Sequence, residues 1–193
     1  MHRDAIMHRI FLAAATVVIA LGWSRASHAQ ALGGIALGQP IHVQECPKRQ
    51  GDYLPNDRSA CFKWPAGAAG SSAPPVNGHI IVNVPIQDRP DFMSGADAVV
   101  GLNAGLVVSV SARTHGAGRD SQDLAALRRV FGKTDPKYVS SNNPYQTTQS
   151  ILADWNLPDG NTAYYNSTEF GRYYGLVRIQ TPLAAPHQLG VWD

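Results

Sequence analysis

The stretch that decides the fold is AVVGLNAGLVVSVSA, residues 98–112. Its centre, Asn103-Ala104-Gly105, is typical of a turn, because glycine at the last position adopts a positive φ at no steric cost. The sequence therefore predicts a hairpin with a three-residue loop between strands over 98–102 and 106–112. The second strand alternates strictly, which predicts an antiparallel sheet with one face on a core and the other in water. The apolar positions are Leu106, Val108 and Val110, and the polar ones are Ser109, Ser111 and Arg113.

One convincing helix follows the hairpin, over residues 120–132. We expect Asp120 to be its N-cap and Gly132 to lie at C′, with Pro136 preventing continuation. Arginines 128 and 129 fall in the last turn, where positive charge is favourable next to the helix dipole. The predicted apolar stripe consists of Leu124, Leu127, Val130 and Phe131.

Further strands are predicted on both sides of this pair of elements. β-branched or alternating residues predict strands over 79–84, 151–155, 162–166 and 172–180. The resulting order is a strand, a hairpin, one helix and three strands, which is typical of an α+β fold. We expect an antiparallel sheet of about five to six strands over residues 79–181, with one main helix on one face and N-terminal loops over the rest. Residues 182–193 are expected to form an extended tail.

Residues 1–29 have the three-part layout of a secretory signal peptide. Arg3 and Arg9 precede an apolar run over residues 10–23, and small residues follow, so cleavage is expected after Ala29 or Ala31. The apolar run is shorter than the roughly 20 residues of a membrane-spanning helix. The sequence thus predicts a periplasmic or extracellular protein with no transmembrane segment after leader removal; an uncleaved anchor is the alternative.

Loss of this leader removes the net charge of the chain. Residues 1–29 contain three arginines and one aspartate, which leaves 13 basic and 13 acidic residues of the original 16 and 14. A net positive charge would suggest nucleic acid or an anionic membrane as a partner, and a neutral chain does not suggest either. We therefore expect no nucleic-acid partner.

Residues 30–78 are predicted to be an irregular segment rich in proline and glycine. This segment holds both cysteines of the chain, Cys46 and Cys61. In an oxidising compartment two such thiols with no third competitor are expected to form a disulfide. A reactive catalytic thiol is the alternative, and it requires a base beside it.

A short series of motifs between residues 124 and 179 resembles a known family. The helix ends in Val-Phe-Gly-Lys at 130–133, and a strand bearing Trp155, a tyrosine strand and Gly-Leu-Val-Arg-Ile at 175–179 follow. This order resembles small periplasmic domains such as the BamE/SmpA-like outer-membrane assembly lipoproteins. The resemblance implies helices packed on an antiparallel sheet and a binding role without catalysis. The chain departs from that family in its hairpin before the helix, its single helix and its lack of a lipidated cysteine.

The sequence contains no recognised catalytic or metal-binding motif. His42, His79, His115 and His187 are not spaced as a helical metal pair, and neither a G-x-S-x-G elbow nor a P-loop is present. We therefore predict no catalytic residue, metal or cofactor. His115 is the most interesting histidine, because it lies among glycines between a strand and a helix start, where a ligand could approach the backbone. The simpler interpretation is an exposed histidine in a turn.

Aromatic residues on the late strands are the remaining binding signal. Tyr164/Tyr165 and Tyr173/Tyr174 are adjacent pairs, so each pair is expected to place one ring on each face of the sheet. One ring of each pair, together with Trp155, could form an exposed aromatic platform. The alternative is that these rings are packed under the tail or the N-terminal loops. The candidate binding residues are Trp155, Tyr164, Tyr174 and His115.

These observations favour an exported, non-enzymatic binding protein of the cell envelope whose partner is a protein or an envelope component. Two alternatives stay open. The first is an inhibitor or immunity protein that blocks a secreted hydrolase with a protruding loop at 114–119. The second is a hydrolase with an unrecognised site. The oligomeric state is not encoded in any pattern of this sequence.

Overall fold

A computed structural model of the protein describes residues 31–56, 58–68, 70–143 and 146–184, without the side chains of residues 141–143 and 146. The predicted leader and the tail beyond residue 184 lie outside the described residues. Two small hairpins come first in the chain. They are formed by strands β1 (Ala31–Leu32), β2 (Ile35–Ala36), β3 (Lys48–Arg49) and β4 (Asp52–Tyr53).

The other eight strands form one antiparallel sheet in the order β5-β6-β7-β8-β12-β11-β10-β9. A helix, α1 (Asp120–Phe131), connects its two halves. The strands are β5 (Cys61–Lys63), β6 (Gly78–Asn83), β7 (Asp97–Asn103), β8 (Leu106–Thr114), β9 (Lys137–Asn143), β10 (Gln146–Asn156), β11 (Thr162–Asn166) and β12 (Gly175–Gln180). The α+β class with an antiparallel sheet is as predicted, but the sheet has eight strands rather than five or six.

Two strands account for this difference. β5 has only three residues in a proline-rich segment, so its sequence does not show the alternation that identifies a strand. β9 is an edge strand in which Tyr138, Val139 and Ser140 are all exposed, so no face of it is selected to be apolar. The C-terminal strand is also shorter than predicted, because it begins at Gly175 rather than at residue 172.

Strand register divides the sheet into a covered face and an open face. Val110 lies opposite both Val100 and Ile179, and the side chains of such a row point to the same side. This side, the covered face, is apolar across the sheet. Its fully buried members include Phe62, Ile80, Val82, Val100, Val110, Val177, Ile179 and Tyr165.

Two layers cover the apolar face. α1 packs over the β10 side, where the Phe131 and Trp155 rings meet edge to face with centroids 5.6 Å apart. The indole Nε1–H of Trp155 also donates to the Gly132 carbonyl at 2.9 Å. Over the β6 side, the first hairpin contributes Leu32 and Ile35 to the same apolar cluster. The N-terminal segment thus covers what the helix does not, as the sequence analysis expected.

The helix differs from its prediction at its start and in its stripe. Arg119, rather than Asp120, is the N-cap residue. Val130 is 54% exposed, whereas Asp123 is buried together with Leu124 and Leu127. The buried carboxylate in the apolar stripe is explained by its hydrogen bonds to the end of β8. With its 12 residues α1 is too short to cross a bilayer, and no other helix of the described ranges could do so either.

The hairpin that decides the fold has a tighter turn than predicted. Asn103 pairs directly with Leu106, so the loop has two residues, Ala104 and Gly105, and both have positive φ. This combination is the one that matches the twist of two-residue hairpins. Gly105 adopts it without strain, whereas alanine pays a small conformational penalty at the position before it.

The predicted disulfide is present. Cys46 and Cys61 are bonded, with their Cα atoms 4.9 Å apart and a sequence separation of 15. The backbone of the first partner runs along β5, because Cys46 N–H donates to the Phe62 carbonyl and Phe62 N–H donates to the Gln44 carbonyl. The bridge therefore fastens the N-terminal segment to the edge of the sheet.

A candidate binding face on the open side of the sheet

The open face of the sheet is polar at its centre. Ser111 lies opposite Val99 on one side and Arg178 on the other, and Arg178 lies opposite Tyr164. The next row contains Gly101, Ser109 and Gln180 in the same arrangement. These two rows, together with His79 on β6 and Thr162 on β11, define the open face.

Arg178 is the central residue of the open face. It is 7% exposed, so its guanidinium lies deeper than is usual for arginine, and this burial lowers the pKa of Arg178. It lines two cavities, one on each side. Ser109 and Ser111 are also buried, whereas His79, Tyr164 and Gln180 at the rim are half-buried. The open face is therefore a depression with a polar floor.

The first cavity, of about 510 Å³, lies on the β6 and β7 side of Arg178. His79 and Ser109 line it with Arg178, and Gly101 forms part of its floor. A Cβ added at Gly101 would lie 2.5 Å from Ser109 Oγ and 3.5 Å from His79 Nε2. The missing side chain is therefore what lets these two groups approach each other over β7. Burial, and then the positive charge of Arg178, lower the pKa of His79.

The second cavity, of about 570 Å³, lies on the β11 and β10 side of Arg178. It contains two carboxylates, Asp154 and Glu169, beside Tyr164. Burial is the largest cause that raises the pKa of Tyr164, and the charge of Glu169 adds to it. Asn166 Nδ2 donates to Glu169 Oε2 at 2.6 Å and holds that carboxylate at the rim. The two cavities thus differ in charge although they share one arginine.

An aromatic and arginine cluster lies at one end of the open face. The Arg113 guanidinium is 5.3 Å from the Phe170 ring centroid and 5.8 Å from that of Tyr174. Tyr173 and Tyr174 are 70% and 45% exposed. They precede β12 instead of belonging to it, so the prediction that this pair puts one ring on each face is wrong. The Tyr164/Tyr165 pair behaves as predicted, because Tyr165 is fully buried and Tyr164 lies on the open face.

Trp155 does not belong to an exposed platform. It lies opposite Ala163 on the covered face and is only 4% exposed, because α1 packs over it. Tyr164 is on the other side of the same sheet, so the two predicted binding residues do not meet. The exposed aromatic platform that includes Trp155 is therefore wrong. The alternative, in which the rings pack under the tail or the N-terminal loops, does not describe Trp155 either, because α1 covers it.

His115 is tied to the buried carboxylate of Asp123. Its backbone N–H donates to Asp123 Oδ2 at 2.8 Å, and its Nδ1 lies 3.0 Å from Asp123 Oδ1. Burial is the dominant cause that raises the pKa of Asp123, and the bonds from His115 oppose it. These contacts join the end of β8 to the first turn of α1. His115 lines neither of the two cavities beside Arg178, so its arrangement fits an anchor between two elements.

The loop at 114–119 does not protrude. Thr114 and Gly116 are buried, and Ala117 N–H donates to the Arg172 carbonyl at 3.0 Å. A Cβ at Gly116 would lie 2.4 Å from the backbone of Tyr173, so glycine is required by this close approach. The loop expected to enter a hydrolase cleft is thus packed against the segment before β12. The inhibitor function itself stays a prediction.

The rest of the described chain contains one further cavity that we considered as a binding site. A third cavity of about 310 Å³ lies between the first hairpin and the end of β6, where His42 and Asp88 are among its mainly apolar lining. Within the described residues, no three His, Cys, Asp or Glu side chains are gathered as a metal site would require.

Comparison of the chain with known protein families, curated proteins and solved structures gives no match. The similarity to BamE/SmpA-like domains therefore stays a prediction.

Arg178 and His79 were missed as site residues by the sequence analysis. The alternation of β12 does place Arg178 on the face opposite Val177 and Ile179. The sequence does not show which strands lie next to β12 in the sheet. The signal that could have drawn attention to it is a lone arginine inside an otherwise apolar strand, since an arginine buried among apolar residues needs a polar environment.

Proposed function

We propose that this protein is an exported binding protein that holds its partner on the open face of the sheet. The observation that carries this proposal is the position of Arg178. It lies at the middle of the sheet, on the floor of a depression, with a cavity of ligand size on each side.

The two faces of the sheet have different roles, and this difference supports the proposal. The covered face provides the apolar core that the fold requires, since α1 and the first hairpin pack on it. The open face has a polar floor of Ser109, Ser111 and Arg178, whose burial does not contribute hydrophobic stability. Polar groups convergent on a cavity are typical of a ligand site.

Export is the part of the proposal that rests on the N-terminal region. The leader-like pattern of residues 1–29 favours it, and the Cys46–Cys61 disulfide is compatible with it because such bonds persist in oxidising compartments. The partner is a free molecule or a group that projects from a larger envelope component.

Site-specific photocrosslinking in the producing cells tests the proposal. A benzophenone amino acid replaces Gln180, which is half-buried on the open face, or Val130, which is exposed on α1 and serves as the matched control. We expect an adduct of defined mass from position 180 and none from position 130. Adducts from position 130 alone would place the partner on the helix and contradict the proposal.

A further inference from the structure

The cavity beside His79 has the composition of a site for an amphipathic anion. Its polar lining residues are His79, Ser109, Arg178, Asn77 and Asn103. The apolar side chains at this cavity are those of Val108 and Leu183, since the side chain of Leu102 belongs to the core on the covered face. A volume of about 510 Å³ accommodates a small organic molecule. One end of such a molecule would meet charge and hydrogen-bond donors, and the rest would meet hydrocarbon.

The charge around Arg178 is asymmetric. Among the described residues that line this cavity there is no aspartate or glutamate. Asp154 and Glu169 both line the cavity on the opposite side of Arg178. An anion is therefore favoured on the His79 side and repelled on the other, since like charges in a partly desolvated site repel strongly.

The floor of the cavity is shaped by Gly101. Any larger residue would place its Cβ 2.5 Å from Ser109 Oγ, which would displace the hydroxyl or close the space next to His79. With glycine, the Ser109 hydroxyl and His79 Nε2 both border the gap above β7. This gives a ligand a hydroxyl and an imidazole in addition to the guanidinium.

We propose that this cavity binds the carboxylate of an organic anion with an apolar body. The planar guanidinium of Arg178 matches a carboxylate with two parallel hydrogen bonds, and protonated His79 supplies the second positive charge. Val108 and Leu183 contact the apolar body of the ligand. This inference rests on the proposed function and deepens it by naming the ligand class.

The site makes binding dependent on pH. Arg178 on β12 faces His79 and disfavours its protonation, while β7 and β8 present the uncharged Gly101 and Ser109 to it. Lys63 on β5 is engaged by Asp97 at 2.8 Å. A bound carboxylate offsets the repulsion between His79 and Arg178, so His79 takes up a proton on binding. Affinity is therefore higher at pH 6 than at pH 8.

The test is an NMR titration of the purified protein with sodium phenylacetate at constant ionic strength. We expect saturable shifts at the amides of Gly101 and Ser109, with a Kd about tenfold lower at pH 6 than at pH 8, which corresponds to one favourable charge contact. Phenylacetamide, which has the same apolar body and no charge, should not bind. Inorganic phosphate should bind at least tenfold more weakly, because it lacks the apolar body.

Three variants assign the effect to side chains. Arg178→Met should weaken phenylacetate binding by about 10- to 100-fold, as expected for loss of a charged hydrogen-bonding partner. His79→Gln should retain binding at pH 8 and lose the increase at pH 6. Val130→Thr, on the exposed side of α1 and outside the open face, is the control and should bind as the wild type does.

Equal binding of phenylacetate and phenylacetamide, or shifts that Arg178→Met leaves unchanged, would overturn the inference. Phosphate binding as tight as that of phenylacetate would overturn the apolar part of it. Failure of this titration while position 180 still gives photoadducts would refute the carboxylate site alone. Adducts from position 130 only would refute the proposed function as well.

Discussion

The two faces of one sheet are built from the same strands but serve different purposes. Along β12, Val177 and Ile179 are fully buried beneath apolar cover, while Arg178 between them is buried in a polar depression. The first kind of burial stabilises the protein by removing hydrocarbon from water. The second costs stability unless the buried groups are hydrogen-bonded or used for binding. The difference indicates which face is constrained by folding and which by function.

The largest contrast is expected between Trp155 and Tyr164, which lie on opposite faces of adjacent strands. Trp155→Ala removes a buried ring, its edge contact with Phe131 and its bond to Gly132, and should lower the free energy of unfolding by about 3–5 kcal/mol. Tyr164→Ala, the control on the open face, should cost about 1 kcal/mol. Urea denaturation of both variants measures this; equal losses would mean that the faces are not distinct in their contribution.

The N-terminal segment that packs on the covered face provides a second test. Replacing both Cys46 and Cys61 by serine releases the N-terminal segment from β5 and should lower the free energy of unfolding by about 3 kcal/mol, as expected for a loop of this length. The comparison is with the wild type unfolded in the presence and absence of reductant. The double variant should match the reduced wild type. Insensitivity of the wild type to reductant would contradict a stabilising bridge.

These two tests concern features that the sequence predicted to different degrees. The cysteine pair could be predicted because no other thiol competes, and β11 and α1 because their apolar residues recur with a strand or helix period. β9 could not, since an edge strand exposed on both sides carries no apolar pattern.

For β8 the strand itself was predicted correctly, but the face assigned to Leu106, Val108 and Val110 is wrong. A register irregularity between Gly101 and Leu102 puts Val107, rather than Val108, on the covered face with Val110. Trp155 was correctly predicted to lie in a strand. Its burial could not be predicted, because the side of the sheet that α1 covers depends on tertiary packing.

The candidate site was harder to predict than the fold, for a physical reason. Its residues come from β6, β7, β8 and β12, and the helix and three further strands separate β12 from β8 along the chain. In the sequence, Gly101 indicates only a weak point of a strand. The structure shows that Ser109 and His79 lie above it and that a larger residue would collide with Ser109. Register, which no local pattern specifies here, is what brings Arg178 next to Ser111.

A smaller effect is expected at the junction of β8 and α1. Asp123→Ala leaves the His115 N–H and ring without their acceptor and should cost about 2 kcal/mol, as for other buried hydrogen-bonding groups. Asp120→Ala, three positions earlier at a more exposed site, should lower the free energy of unfolding by only about 0.5 kcal/mol. Thermal unfolding of the two variants compares them. A larger loss at Asp120 would show that the anchor has been assigned to the wrong carboxylate.

The smallest effect concerns the stability cost of the open face. Because the pKa of His79 is lowered in the folded protein, the unfolded chain binds more protons below about pH 6.5, and acidification favours unfolding. The stability that depends on a neutral His79 is fully present above pH 6.5 and is lost as the pH falls through the lowered pKa of His79. His79→Gln should therefore reduce the loss of stability between pH 7.5 and 5.5. Urea midpoints across this range measure it, and an identical slope in both proteins would contradict it.

The most direct test of the central claim is to block the open face without changing stability. Gln180→Trp places a large ring opposite Ser109, and Val130→Trp places the same ring on the exposed side of α1. Both proteins are equilibrated with an extract of the producing cells and examined by native mass spectrometry beside the wild type. We expect a bound mass on the wild type and on Val130→Trp, and none on Gln180→Trp at an unchanged unfolding midpoint. Retention of the bound mass by Gln180→Trp would contradict the claim that this face is the binding surface.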